Sequence, residues 1–181
     1  MMRLFVAIDP DAATRAWLAA AQERLRKKLA PFGRVLRWVD PASIHVTLAF
    51  LGEVPDAGPV AEALAGCGCV PMELGVGGLG VFPNTRRPSV LWVGVRDPSG
   101  ALVRLQARIA EALSPFVKPE RRRFEPHLTL ARVKAYPPPA LGRALAELAR
   151  PGGEAPQPWH AGPFALLQST LDSGGSRHTV L

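Results

Sequence analysis

The chain has 181 residues, about 48% apolar and 20% charged, with a formal net charge of +7. That balance excludes a disordered polyelectrolyte, a coiled coil and a disulfide-stapled miniprotein, and the length lets one domain or two small lobes bury a core unaided. The longest apolar stretches, such as Val90-Leu91-Trp92-Val93-Gly94-Val95, fall far short of the ~20 residues of a spanning helix, and residues 4–8 are too short for a signal peptide; the expectation is a soluble, cytoplasmic chain.

Residues 3–8 predict a strand. Asp9-Pro10-Asp11 then supplies capping chemistry for a helix in which Trp17, Leu18, Ala21, Leu25 and Leu29 recur at helical spacing, ended by Pro31 and Gly33. Residues 35–39 and 44–51 read as strands, 60–64 as a short helix and 72–82 as a Gly-rich strand region. Cys67 and Cys69, one residue apart and with no second Cys or His pair nearby, read as reduced thiols and not as a disulfide or a zinc site. Residues 89–95 form a buried strand. Pro98-Ser99 opens a helix whose apolar stripe is Leu102, Leu105, Ile109, Leu113 and Phe116. Residues 127–133 are strand-like, Leu141, Leu145 and Leu148 mark a further amphipathic helix, and 159–181 hold two closing strands. Helices separated by paired strands outnumber single-strand crossovers, so the class is α+β.

The most specific feature is internal. His45-Val46-Thr47-Leu48-Ala49 and His127-Leu128-Thr129-Leu130-Ala131 share four of five residues, a coincidence of roughly one in a thousand at ordinary residue frequencies. On a strand, alternate side chains share a face, so each motif delivers one imidazole and one hydroxyl to the same surface. If the repeat reflects two similar lobes, a pseudo-twofold axis brings two imidazoles and two hydroxyls into one cleft. Paired imidazoles suit acid and base work near neutrality, since one holds a proton while the other lacks it. Phosphodiester hydrolysis needs that division, with Thr hydroxyls and a cation holding the non-bridging oxygens.

Arg132 lies five residues after His127, and Arg121-Arg122-Arg123 stands just upstream, either as a solvated basic face or as substrate contact. Lys118, Arg121, Arg122, Arg123, Arg132 and Lys134 surround the second motif with only Glu120 and Glu125 opposing them, which gives the positive balance an address for an anionic partner. Competing chemistries are thinner: no His-Glu-x-x-His run, no Gly-x-Ser-x-Gly elbow and no P-loop occurs. No metal and no cofactor is expected. His160 and His178 lie outside any repeated context and read as structural or surface residues.

The sequence resembles the two-histidine phosphoesterases, specifically the bacterial and archaeal RNA 2′,3′-cyclic phosphodiesterases also called 2′-5′ RNA ligases. The resemblance runs through residues 3–8, Arg37-Trp38-Val39, the first motif with Phe50-Leu51-Gly52, Phe124-Glu125-Pro126 with the second motif and Arg132, and the closing Leu167-Gln168-Ser169-Thr170-Leu171 and Thr179-Val180-Leu181. It implies one domain over residues 1–181 built of two interleaved lobes, with two antiparallel sheets facing across a cleft and helices outside. It also implies metal-independent opening of a terminal 2′,3′-cyclic phosphate of RNA to a 2′-phosphomonoester, with 2′-5′ ligation as the reverse.

Carried over by residue, the resemblance makes His45 and His127 the acid/base pair, Thr47, Thr129 and Arg132 phosphate ligands, and Phe50 a base-stacking ring. The working assignment gives His45 the proton-donor role and His127 the acceptor role. Phe50 lies an odd number of positions from His45, so strict alternation turns it to the core unless the strand bends or bulges near Gly52. The expected partner is RNA, bound by a monomer. The alternatives are a non-catalytic module that binds RNA ends, and a phosphodiesterase for small cyclic phosphates or 2′,5′-linked oligonucleotides.

Overall fold

The computed structural model describes residues 1–68, 71–118, 122–134, 136–149, 157–172 and 175–181. Cys69, Glu120 and Arg121 lie outside them. Among the described residues the strands are β1 (Met2–Ile8), β2 (Leu36–Trp38), β3 (Val46–Val54), β4 (Met72–Phe82), β5 (Val90–Arg96), β6 (His127–Val133), β7 (Trp159–Ala161), β8 (Ala165–Asp172) and β9 (Gly175–Val180). Four helices intervene: α1 (Ala12–Lys28), α2 (Gly58–Ala65), α3 (Ala101–Ala112) and α4 (Pro139–Leu148).

All strand pairs are antiparallel. Their order is β7-β4-β5-β6-β3-β1-β8-β9, with β2 also on β6. That order is symmetrical about the two strands that carry the His-x-Thr motifs. Each motif strand pairs with the strand before its helix, β1 with β3 and β5 with β6. β8, late in the chain, returns beside β1, while β4 from the first half sits beside β5. The two halves meet at a seam of a single pair, Val46 opposite Leu128, the residues that follow the two histidines. An antiparallel register there sets His45 across from Thr129 and Thr47 across from His127.

One face of the strands carries the helices. Leu18 of α1 and Leu102, Leu105 and Ile109 of α3 are fully buried in one cluster with Val46, Leu48, Leu128 and Leu130, each such side chain worth about 1.5–3 kcal/mol of burial. The α1 cap is as read, Asp11 accepting from the Thr14 N–H at 2.8 Å; α3 starts at Ala101, after the Pro98-Ser99 expected to open it, and Asp97 accepts from the Leu102 N–H at 2.9 Å. Two further expectations need correction. α3 ends at Ala112, so Phe116 lies past the stripe and is exposed, and the closing segment contains three strands instead of two because residues 159–161 pair with β4.

The helices also carry a second repeat. Leu18-Gln22-Leu25-Leu29 and Leu102-Gln106-Ile109-Leu113 have identical spacing. Gln22 is 1% exposed and donates through Nε2 to the carbonyls of Val39 at 2.7 Å and Leu130 at 2.9 Å; Gln106 donates to the Leu48 carbonyl at 3.3 Å. Each motif strand is thus tied at its Leu to the helix that precedes the other motif. Replacing Gln22 by Met strands buried carbonyl capacity and is expected to lower stability by about 1–3 kcal/mol, read as a fall in the urea midpoint at constant slope. An unchanged midpoint would show that the tie is inconsequential.

Candidate active site

The face opposite the helices holds a cleft of about 1040 Å³. His45, Thr47, Phe50, His127, Thr129 and Arg132 all line it. The six residues singled out from sequence therefore come together, including Phe50, whose spacing predicts the opposite face, and Arg132, which lies the same odd number of positions after its own histidine.

The strand register explains those two. Thr47 pairs with Ala7 and Ala49 with Val6, so Leu48 is an extra residue in β3; Thr129 pairs with Trp92 and Ala131 with Leu91, so Leu130 is an extra residue in β6. Both are bulges at the same motif position, and each shifts the alternation by one. Phe50 and Arg132, which occupy equivalent places after the two motifs, are thereby turned to the cleft. Phe50 is 68% exposed. A second irregularity in β3, between the Leu4–Gly52 and Phe5–Phe50 pairs, buries Leu51 and leaves Phe50 at the rim. The core alternative for Phe50 is thus corrected.

Both imidazoles are held the same way. His45 Nδ1 lies 2.8 Å from the Ser43 carbonyl, and His127 Nδ1 lies 2.7 Å from the Glu125 carbonyl. A carbonyl only accepts, so Nδ1 carries the hydrogen and Nε2 is left to exchange protons in the cleft. The turn that presents His45 is braced from α1, since Arg15 donates to the carbonyls of Pro41 at 2.7 Å and Ala42 at 2.8 Å while paired with Asp9 at 3.5 Å. Burial lowers His45 from the usual 6.5 to about 4, a fall offset in part by the Ser43 bond and deepened by His178.

Aromatic rings flank each imidazole. Phe5 and His178 pack on His45 at centroid distances of 4.8 and 5.2 Å, and Phe82 and Trp92 pack on His127 at 4.9 and 5.8 Å. His178 on β9 lines the cleft, a place that its position outside the repeated motifs did not signal; His160 on β7 is exposed as read. Gly80 makes room for this packing, because a Cβ there would strike the Trp92 ring. Gly80→Ala is expected to displace Trp92 at a cost of about 1–3 kcal/mol and to lower kcat with it. Unchanged tryptophan fluorescence and kcat would contradict that link.

The charge lining the cleft comes from the strands. Arg3, Arg37, Arg132 and Arg177 face it, against Asp40. Arg122 and Arg123 are exposed and do not line it, while Lys134 donates to the Arg34 carbonyl at 3.0 Å. Of the cluster read around the second motif, Arg132 therefore lines the cleft, where Arg3, Arg37 and Arg177 join it from other strands. The arrangement is two proton-exchanging nitrogens, two hydroxyls and several guanidinium groups around a space of nucleotide size, suited to a phosphate anion. No cluster of three or more His, Cys, Asp or Glu side chains able to hold a metal occurs among the described residues, and no described helix is long and apolar enough to cross a membrane.

The model of the 2′-5′ RNA ligase superfamily matches residues 10–170. The chain belongs to that superfamily. A relative from Aeropyrum pernix named RNA 2′,3′-cyclic phosphodiesterase is 39% identical over 129 residues, covering 69% of this chain and 73% of its own length. Among solved structures, TT0787 of Thermus thermophilus superposes with a TM-score of 0.76 at 30% identity, over 99% of this chain and 95% of its own. LigT of E. coli complexed with 3′-AMP gives a TM-score of 0.72 at 26% identity, over 99% and 95%. Superfamily membership accords with the α+β class and with the likeness drawn from the two motifs; the two sheets expected to face one another are halves of one continuous antiparallel sheet, joined at the Val46–Leu128 pair. Sequence reasoning missed Phe5, His178, Arg3, Arg37 and Arg177 as cleft residues and Gln22, Gln106 and Arg15 as their supports; the repeated Leu-x-x-x-Gln spacing was the one available signal.

Proposed function

We propose that the chain is an RNA 2′,3′-cyclic phosphodiesterase that works without a metal, as a cytoplasmic monomer. The observation that carries this reading is the matched pair of imidazoles with Nδ1 bonded to a backbone carbonyl two residues back, on either side of one arginine-lined cleft. In the reaction, water attacks phosphorus, the P–O3′ bond breaks, and the product carries a 2′-phosphate and a free 3′-hydroxyl. His127 Nε2 takes the proton from water. His45 Nε2 gives one to departing O3′. Thr47, Thr129 and Arg132 hold the non-bridging oxygens, and Phe50 stacks on the terminal base. A 5′-hydroxyl in place of water gives 2′-5′ ligation with the same groups, and dilute water favours hydrolysis. Each lobe of the single domain contributes one motif.

The low basicity of His45 suits the donor role. A proton on a group that holds it weakly passes readily to an alkoxide, and an anionic phosphate in the cleft supplies the field that loads it. A donor must hold a proton, and in the empty cleft His45 takes one up only as pH falls through about 4. A ¹⁵N NMR titration of the free protein is therefore expected to place the His45 midpoint near 4. A midpoint at the ordinary imidazole value of ~6.5 would contradict the burial account.

Turnover distinguishes this reading from a module that only binds RNA ends, since binding needs cations more than titrating imidazoles. A nucleoside 2′,3′-cyclic phosphate offered with excess EDTA is expected to be opened. Binding without turnover would support the module, and activity lost to EDTA would overturn the metal-free chemistry.

A further inference from the structure

The surroundings of the two imidazoles match in geometry and differ in chemistry. His178 meets His45 edge to face at 5.2 Å and 87°; Phe82 meets His127 edge to face at 4.9 Å and 86°. A second ring closes each wall, Phe5 at 31° to His45 and Trp92 at 54° to His127. The two rings come from different strands, Phe82 from β4 beside β5 and His178 from β9 at the outer edge beyond β8, and they meet the imidazoles at like angles, once as a hydrocarbon ring and once as a ring that titrates. His178 also packs on Phe5 at 4.9 Å and 77°, which fixes it against β1. Its Nδ1 is buried with no hydrogen-bond partner among the described residues.

We infer that His178 is a positioning residue that makes the two catalytic imidazoles unequal, packing on His45 with a ring that itself takes up a proton and so resists a second proton beside it. This inference rests on the proposed acid/base roles of His45 and His127. Two imidazoles in ring contact share one proton far more easily than they hold two. Burial lowers His178 below the usual imidazole value, Asp9 opposing that shift and Arg132 reinforcing it, and the same Asp9 and Arg132 act on His45. Arg3, Arg37, Arg177 and Asp40 complete the charged groups facing this part of the cleft.

The consequence is a donor that stays unloaded in an empty cleft. Arrival of an anionic phosphate changes the local field and lets His45 hold the proton it gives to O3′. His127, against Phe82 and Trp92, faces no such rival.

His178→Phe tests this by giving His45 the wall that His127 has. The His45 ring is followed by ¹⁵N NMR across a pH titration, and kcat/KM is measured over the same range. The expected result is an upward shift of the His45 midpoint with an equal upward shift of the kcat/KM limb on which the donor loses its proton. His178→Tyr serves as a second variant and is expected to shift both the same way. If folded variants leave the His45 midpoint where it is in the wild type, or lower it, the inference fails. If the midpoint rises and that limb stays, the coupling stands and the assignment of His45 to the reaction fails instead.

Discussion

His45→Ala and His127→Ala are each expected to reduce opening of a terminal 2′,3′-cyclic phosphate by about 10²–10⁴-fold, and the two losses part company when the leaving group changes. Departing O3′ is a poor leaving group that needs a proton, and in the proposed assignment His45 supplies it from Nε2, the nitrogen left free by the Nδ1 bond to the Ser43 carbonyl at 2.8 Å. A nucleoside p-nitrophenyl phosphodiester releases a phenolate that needs none. On that substrate His45→Ala regains most of the wild-type rate, while His127→Ala, lacking the group that deprotonates water, does not. Recovery of neither variant would remove the donor role from His45. Recovery of His127→Ala alone would exchange the two assignments.

Arg132 and Phe50 stand at equivalent positions after the two motifs, and their replacements are expected to divide between rate and affinity. Both are brought to the cleft by the bulges at Leu130 and Leu48. In the proposed role Arg132 holds oxygens whose charge grows in the transition state, so Arg132→Ala is expected to lower kcat by about 10²–10³-fold, with Arg132→Lys recovering only part because ammonium cannot bridge two oxygens. In the proposed role Phe50 contacts the base, which does not react. Phe50→Ala therefore raises KM for RNA, by the about 1–3 kcal/mol of a stacking contact, and leaves kcat near wild type. Steady-state kinetics read both. A kcat loss in Phe50→Ala matching that of Arg132→Ala would mean that the ring supports the strand and does not hold a base.

The chemistry was legible because it is local. His45, Thr47, His127 and Thr129 announce themselves by repetition, and the helix stripes carry the expected periodicity down to buried Leu102, Leu105 and Ile109. Phe50 and Arg132 escaped strict alternation because a bulge is a property of two strands. Leu48 and Leu130 look like ordinary strand residues until their partners on β1 and β5 are known. His178 was out of reach for a related reason: only the return of β8 and β9 beside β1 brings it to His45. Gln22 and Gln106 were visible as a repeat, but a glutamine within a helical stripe reads as solvent-facing until a buried carbonyl is found across from it. The charge of +7 pointed to an anion and included Arg132 of the cleft, but Arg3, Arg37 and Arg177 went unnoticed because they are scattered in sequence and converge only in the folded sheet.

The central claim is that paired imidazoles open the ring on the O3′ side, and the phosphorus itself reports it. An RNA ending in a 2′,3′-cyclic phosphate is incubated with the wild-type protein in EDTA and the product resolved by ³¹P NMR, with His45→Ala and His127→Ala alongside. The account predicts a 2′-phosphomonoester from the wild type and unreacted cyclic phosphate from both variants. A 3′-phosphomonoester, or equal turnover by the variants, would contradict it.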